Sequence, residues 1–389
     1  METYSLTWKQ IIAFRLARHH LLDPAPAEAL LTVARDMGGA QAQLMSAAQI
    51  SFWPRVRDLQ VTAVEKALDE RKLVKAACMR RTLFLVPAAD LAIFVRGTAR
   101  RAQKEINWAL GKGVPERTVE AAIDAALNAL DEPLIRPEIA ERVGRALGVQ
   151  IEAVHGGGWG SRRKIDAVPV GEIMYPVVSL LHLAAARGVI CYGPNRGNEP
   201  TFVRAAAWIP HWQDVAQEEA EETLLRWYMR AFAPATARDF AAWSGLTLTE
   251  SRAIWARVQG GFAPVNVEGW ESAVLREDLE QFMLTELEYP LVRLLPYFDT
   301  FLLGHKGRDH LVAEEQRSKV YRPQGWVSPV MLVNGRIAAV WRHDQKKDKL
   351  EVEVRPFEPL PQPVTAAINA QAQDLGRFLG AAKVDVQAR

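Results

Sequence analysis

Cysteine is almost absent from this chain: two residues, Cys78 and Cys191, stand among 389. That excludes a disulfide framework and a cysteine-rich zinc site. It also makes a reducing, cytoplasmic setting the expected one. Excess charge is absent too, since 48 Lys and Arg against 46 Asp and Glu leave +2. A tail-driven nucleic-acid binder is thereby excluded, whereas local basic faces are a matter of distribution and stay open. There is no long apolar run. The most apolar stretch, Ile173 to Ala186, is too short to span a bilayer and contains His182. The opening METYSLTWKQ has no apolar core of signal-peptide type, so no membrane association is expected. Several enzyme signatures are missing: G-x-x-x-x-G-K-[ST], G-x-G-x-x-G after a strand, H-E-x-x-H and G-x-S-x-G. No cluster of metal ligands stands out, and His182, His211 and His343 are isolated, as packing or surface residues are. Neither a metal nor a cofactor is expected.

What is present is an ordinary globular composition, 49% hydrophobic and 24% charged, long enough for two to four structural units. A pattern of short helices followed by a strand pair recurs along it. The clearest instance has a helix from Glu218 to Ala231, a break at Pro234, a short helix capped by Thr236 and a turn at Ser244–Leu246. A helix from Glu250 to Val258 capped by Thr249 follows, then a hairpin from Val265 to Val274 turning at Gly269. That order is the winged-helix arrangement. An earlier instance has helices from Thr118 to Leu130 and from Pro137 to Leu147, with Gly148 as C-cap. A looped insertion from His155 to Lys164 separates these from a helix at Tyr175–Arg187 and from strands at Val189–Tyr192 and Thr201–Arg204. The first instance is less regular. Its helices run from Trp8 to Arg18, Ala27 to Asp36, Met45 to Phe52 and Ala63 to Glu70, with a Gly38-Gly39 break, and Leu73 to Val86 reads as a strand pair. The last hundred residues read as strands at Val330–Val333, Arg336–Trp341 and Leu350–Arg355, with Asn334-Gly335 as a two-residue hairpin turn and a closing helix from Val364 to Leu379.

On such a scaffold the basic clusters are candidate phosphate contacts: Arg80 and Arg81; Arg100 and Arg101 with Lys104; Arg162, Arg163 and Lys164; and His305, Lys306 and Arg308. Each of them taken alone is also what a solvated surface looks like. Lys346, Lys347 and Lys349 read as a soluble hairpin tip, and Gly156-Gly157-Gly158 as a flexible connection. The segment Gly38-Gly-Ala-Gln-Ala-Gln-Leu44 places Gln41 and Gln43 directly after the glycine break. In extended backbone, residues two apart point to one side; in a helix they diverge. Two converging amides can hold one water as donor and acceptor. The plain alternative is a helix start with two exposed glutamines.

Four segments together resemble the winged-helix DNA glycosylases of the AlkZ and YcaQ (AlkX) type. Gln41-Ala42-Gln43 is similar to that family's Gln-apolar-Gln motif, and Gln43, where the YcaQ branch has Asp, brings the chain nearer the AlkZ-like branch. Met79-Arg-Arg-Thr-Leu-Phe-Leu-Val86 resembles the family's Arg-x-Thr-Leu-His-Leu-Val strand, with Phe84 where His is common. Phe232 to Leu246 resembles its third winged helix, and Leu294 to Gly304 the signature that leads into its C-terminal unit. The resemblance covers nearly the whole chain. It implies an α+β fold of three tandem winged helices at 1–105, 106–212 and 213–288, with a β-barrel-like unit at 289–389, forming a concave DNA-binding surface. It further implies a monomer that acts on double-stranded DNA carrying alkylated or crosslinked purines, and a nucleoid-associated location in the cytoplasm. Gln41 and Gln43 would be catalytic. Arg80, Arg81, Thr82, Arg162, Arg163, Lys164, His305, Lys306 and Arg308 would contact DNA. Two competing readings are a non-enzymatic winged-helix regulator of transcription and a protein-interaction module.

Overall fold

The computed structural model describes residues 3–155, 164–185, 188–287 and 290–388. No helix among them is long and apolar enough to cross a membrane. The chain divides into two compact units. One comprises Met1–Leu73, Met79–Pro87 and Glu222–Arg389; the other comprises Val74–Cys78 and Ala88–Glu221.

The second unit is built on helices Arg100–Gly111, Glu116–Asn128, Arg136–Leu147 and Val177–Ala185. Their apolar faces, among them Ile123, Ile139, Val143 and Leu180, close one core. Gly148 ends the third helix in the left-handed conformation, as expected, at φ 65°. Lys164 does not end a loop: it opens the strand Lys164–Val170, the middle of an antiparallel sheet with Glu152–His155 and Ile173–Pro176. Val168, Val170 and Tyr175 enter the helical core from this sheet, so Tyr175 lies in a strand and the helix begins after Pro176. Burial pushes the Cys191 thiol up to about 12 and the Cys78 thiol higher still, which keeps both unreactive.

In the first unit the strand Tyr4–Leu6 runs parallel to Phe262–Val267, which forms a hairpin with Trp270–Leu275. Helices Ala237–Ser244 and Leu248–Val258 precede that hairpin. Thr236 caps the first of them as expected. The second is capped by Thr247 rather than Thr249, because Thr247 stands three residues before Glu250 and the two exchange backbone bonds as a capping box.

The C-terminal strands form an open sheet in the order Val292–Leu295, Val330–Val333, Arg336–Lys346, Lys349–Pro356, Lys383–Ala388. Its first and last strands do not pair, so the barrel-like closure expected from the resemblance is absent. Helix Gln362–Leu379 lies on the sheet instead, burying Ile368, Ala372, Leu375 and Phe378. The turn Asn334-Gly335 has φ 51° and 77°, the left-handed pair that a two-residue hairpin requires. The same core takes Val33 and Ala34 from helix Leu30–Asp36, Met37 from its C-cap, and Ile50 and Phe52 from helix Met45–Phe52. The Gln-bearing segment lies between these two helices in sequence, so the C-terminal sheet and helix complete the core beneath it.

A buried ion pair ties the same elements together. Asp299 accepts two bonds from Arg55, at 2.9 and 2.7 Å, and neither side chain is exposed. Arg55 also donates to the Ser51 carbonyl at 2.6 Å, and Thr300 Oγ1 donates to the Met37 carbonyl at 2.8 Å. The Leu294–Gly304 signature is thus the clamp on the helices that flank Gln41 and Gln43.

Candidate active site

Gln41 ends the short strand Ala40–Gln41, which pairs antiparallel with Leu83–Pro87: Ala40 lies opposite Leu85, and Gln41 opposite Phe84. The Ala42 N–H continues the ladder, donating to the Leu83 carbonyl at 2.6 Å. The backbone is therefore extended from Ala40 to Ala42, and Gln43 follows it at a bend. Helix Met45–Phe52 starts two residues after Gln43. Gln41 is 6% exposed; Gln43 is open to solvent. The motif thus has one amide set into the protein and one facing outward.

The glycine break makes this possible. Gly38 and Gly39 both have positive φ, 73° and 82°. A Cβ at Gly38 would stand 3.1 Å from the Trp243 ring, and one at Gly39 would stand 2.9 Å from Val86 Cγ1. Gly39→Ala combines a left-handed backbone with a contact too close for a β-carbon, so it is expected to push the Gln41 strand off Leu83–Pro87. The check is thermal unfolding together with hydrogen exchange at Ala42. A stability loss above about 2 kcal/mol with faster Ala42 exchange is expected, and wild-type behaviour in both would refute the packing argument.

Arg80 holds the buried amide. It lies in the turn Met79–Arg81 with φ 54°. Its Nη2 donates to Gln41 Oε1 at 2.9 Å, its Nη1 donates to the Trp243 carbonyl, and its guanidinium carbon lies 5.8 Å from the centre of the Phe84 ring. A guanidinium can only donate, so the amide oxygen must face Arg80 and the NH₂ group must point the other way. The bond to Arg80 is the one side-chain hydrogen bond of Gln41 among the described residues. Gln41 is thereby fixed as a donor toward whatever occupies the site. Phe84, opposite Gln41 in the ladder, supplies an apolar floor beneath Arg80 where the resemblance leads one to expect a histidine.

The other expected site residues fall in several places. Arg81 is exposed. Thr82 is half-buried, and its hydroxyl donates to the Met79 carbonyl at 3.0 Å, closing the turn that carries Arg80. Arg162 and Arg163 lie outside the described residues; Lys164 is exposed at the start of its strand in the other unit. Lys306 is exposed, and its backbone N–H is anchored by Asp239 Oδ1 at 3.1 Å. Arg308 stacks over Tyr321 at 3.8 Å from the ring centre. His305 does not reach the surface with them: it is buried, with Nε2 2.9 Å from Arg15 Nη2. The same Nε2 also lies 3.0 Å from the Pro234 carbonyl oxygen, so the ring is wedged between Arg15 and the backbone that Arg15 also holds.

Burial, and then the nearby Arg15 charge, holds His305 well below the ordinary imidazole range. His310 is lowered by the same two causes, and His19 by burial and then Arg55. His19 sits edge-on between Phe232 and Phe301. For all three, the folded value lies below the unfolded value of about 6.5. The unfolded chain therefore takes up protons first as pH falls. Their contribution to stability is complete above about pH 6.5 and is lost progressively below it. The thermal midpoint is expected to fall between pH 6.5 and 5, with a shallower fall in His305→Gln. A midpoint that stays level across that window would contradict the burial of these rings.

Sequence reasoning missed the pairing of Arg80 with Gln41, the Arg55–Asp299 clamp and the buried place of His305. The left-handed Met79–Arg81 turn carries no glycine to announce it. Arg55 and Asp299 are 244 residues apart, with no local pattern linking them.

The chain belongs to the AlkZ-like DNA glycosylase family, whose model matches residues 34–378. That span includes the Gln41 strand, the Arg80 turn, the Asp299 clamp and most of the C-terminal sheet. A relative from Streptomyces sahachiroi, described as an interstrand DNA cross-link repair glycosylase, is 29% identical over 390 residues, covering 98% of this chain and 99% of the relative. The solved structure of Streptomyces sahachiroi DNA glycosylase AlkZ superposes with a TM-score of 0.79 at 27% identity, over 99% of this chain and 100% of that one. The mixed α+β architecture is thus shared from end to end.

Proposed function

We propose that this glycosylase hydrolyses the N-glycosidic bond of cationic N7-alkylated purines in double-stranded DNA, unhooks interstrand crosslinks joined through such purines, and leaves an abasic site. The observation that carries the reading is the amide of Gln41, locked as a donor by Arg80, two residues before the solvent-facing amide of Gln43. An N7-alkylated purine already bears positive charge, so the base leaves without being protonated. What remains is to orient a water on the sugar. Glycoside hydrolases commonly use two carboxylates for this; a cationic leaving group relaxes that need. Gln41 Nε2 donates to one lone pair of the water, and Gln43 Oε1 accepts one of its protons. The other lone pair forms the bond to C1′. The C1′–N9 pair passes to the base and neutralises it, and the proton leaves to solvent.

The segments 1–105, 106–212 and 213–288 are read as three winged helices and 289–389 as the unit that completes the fold, in a protein working as a monomer. The helix, helix and hairpin at Ala237–Leu275 support this for the third of them. Arg81, Lys164, Lys306 and Arg308 are retained as DNA contacts together with Arg162, Arg163 and Thr82. His305 is assigned to packing. No lysine is needed as a Schiff-base nucleophile, so the enzyme is monofunctional. The test is base release from duplex DNA bearing N7-methylguanine, and separately from an N7-linked interstrand crosslink, with chelator present. Release of free base and formation of abasic sites from both substrates are expected. Tight binding without release from either would favour a regulator.

A further inference from the structure

Beside Arg80 lies a cavity of about 420 Å³ whose wall carries five cationic side chains, Arg80, Lys306, Arg308, Arg317 and Arg322, against one carboxylate, Asp309. Asp309 pairs with Arg317, which still leaves a surplus of four positive charges. Its aromatic residues are already engaged. Tyr321 lies under Arg308 and donates its hydroxyl to the Leu302 carbonyl at 3.0 Å, and Trp326 packs against Phe298 and Tyr297. The backbone at Gly307 and Gly325 is open to the space, with nothing within 4 Å of a Cβ built at either. Lys306 is held at the rim through its backbone by Asp239. A cavity with this surplus of guanidinium and ammonium groups, one of them held against Tyr321, suits a phosphate, which accepts several such donors at once.

Arg80 gives this cavity its meaning. It belongs to the wall, and it also holds Gln41 Oε1 and the Trp243 carbonyl. We propose that the cavity seats a backbone phosphate of the DNA strand carrying the lesion, and that Arg80 is the positioning residue that registers this phosphate against the Gln41 amide. The inference rests on the assignment of Gln41 above. A seated phosphate stabilises the Arg80 guanidinium in the place where it fixes the amide, so the water-holding group is set when DNA is in register. Arg317 and Arg322 then join Lys306 and Arg308 as phosphate ligands, and Arg80 acts through Gln41 rather than on the reacting atoms.

The experiment uses the full chain and duplexes with a single N7-methylguanine, in which phosphates flanking the lesion are replaced one at a time by neutral methylphosphonate. Arg322→Ala is expected to lower the slope of log affinity against log salt by about 0.9, the contribution of one phosphate contact. One methylphosphonate position should weaken wild-type binding by the same amount and leave Arg322→Ala unaffected. Arg80→Ala is expected to slow single-turnover release at saturating DNA about 100-fold. Arg80→Lys should not restore it, because an ammonium cannot span both the amide and the Trp243 carbonyl. Lys347→Ala, at the Lys346–Lys349 hairpin tip, serves as the control and should match wild type in every reading. If every methylphosphonate position weakens Arg322→Ala as much as wild type, the phosphate seat is overturned. If Arg80→Ala at saturation releases base at the wild-type rate, the positioning role is overturned. Neither result depends on Gln41→Ala, whose retained activity would refute the catalytic assignment of Gln41 instead.

Discussion

Gln41→Ala is expected to slow single-turnover release of N7-methylguanine from duplex DNA by about 10²- to 10⁴-fold, the range for a group that positions or activates a water, with little change in duplex affinity. The effect falls on the chemical step because the side chain is 6% exposed and cannot contribute a broad DNA-binding surface. Gln41→Glu separates orientation from shape. It keeps the length and can still accept from Arg80, but it replaces the Nε2 donor with a second acceptor. If donation to the water is the role, Glu should be as slow as Ala. A Glu variant near the wild-type rate would mean that the group acts by charge or packing instead. Gln43→Ala should fall in the same range, and the double variant should be little worse than either single one, since two groups holding one water act as a unit. Release that survives all three substitutions would remove the Gln pair from the mechanism.

The largest stability effect is expected at Asp299. Asp299→Ala leaves the Arg55 charge with no counterion in a place from which solvent is excluded. Breaking one side of such a pair costs about 3–5 kcal/mol, roughly 10 °C in the unfolding midpoint. Arg55→Met should cost a similar amount. Arg55→Met combined with Asp299→Leu should be less destabilised than either single variant, because it removes both buried charges. A double variant worse than the sum of the two would show that the bonds to Ser51 and Phe301, not the ion pair, hold the helices.

Local signals in the chain specified the elements well where they were complete. Helix Met45–Phe52, the Gly148 cap, the Thr236 capping box and the Asn334-Gly335 hairpin each rest on contiguous residues with a single physical reading. Thr247 and Thr249 both stand at the start of the same helix, and the three-residue spacing to Glu250 makes Thr247 the cap. The last strand, Lys383–Ala388, escaped notice because it is an edge strand with mostly exposed side chains, and its alternation is thin. The expected barrel closure failed for a reason that no local pattern contains: helix Gln362–Leu379 covers the apolar face of the sheet, and its edges stay apart. In the site, the extended setting of Gln41 was legible from Gly38-Gly39, whereas the bend at Gln43 was not. Arg80 was legible only as a charge near a turn. Its bond to Gln41 depends on a left-handed φ that the residue type does not favour, and on the Trp243 carbonyl 163 residues away.

The core beneath the Gln41 strand draws its parts from helices near residue 33 and from strands and a helix that end near residue 379. On the ribosome, the N-terminal share of that core emerges hundreds of residues before its partners. Contacts so distant in sequence close slowly. The strand that carries Gln41 therefore gains its supporting core only near the end of synthesis, so on the proposed assignment a nascent chain would be inactive until it is complete.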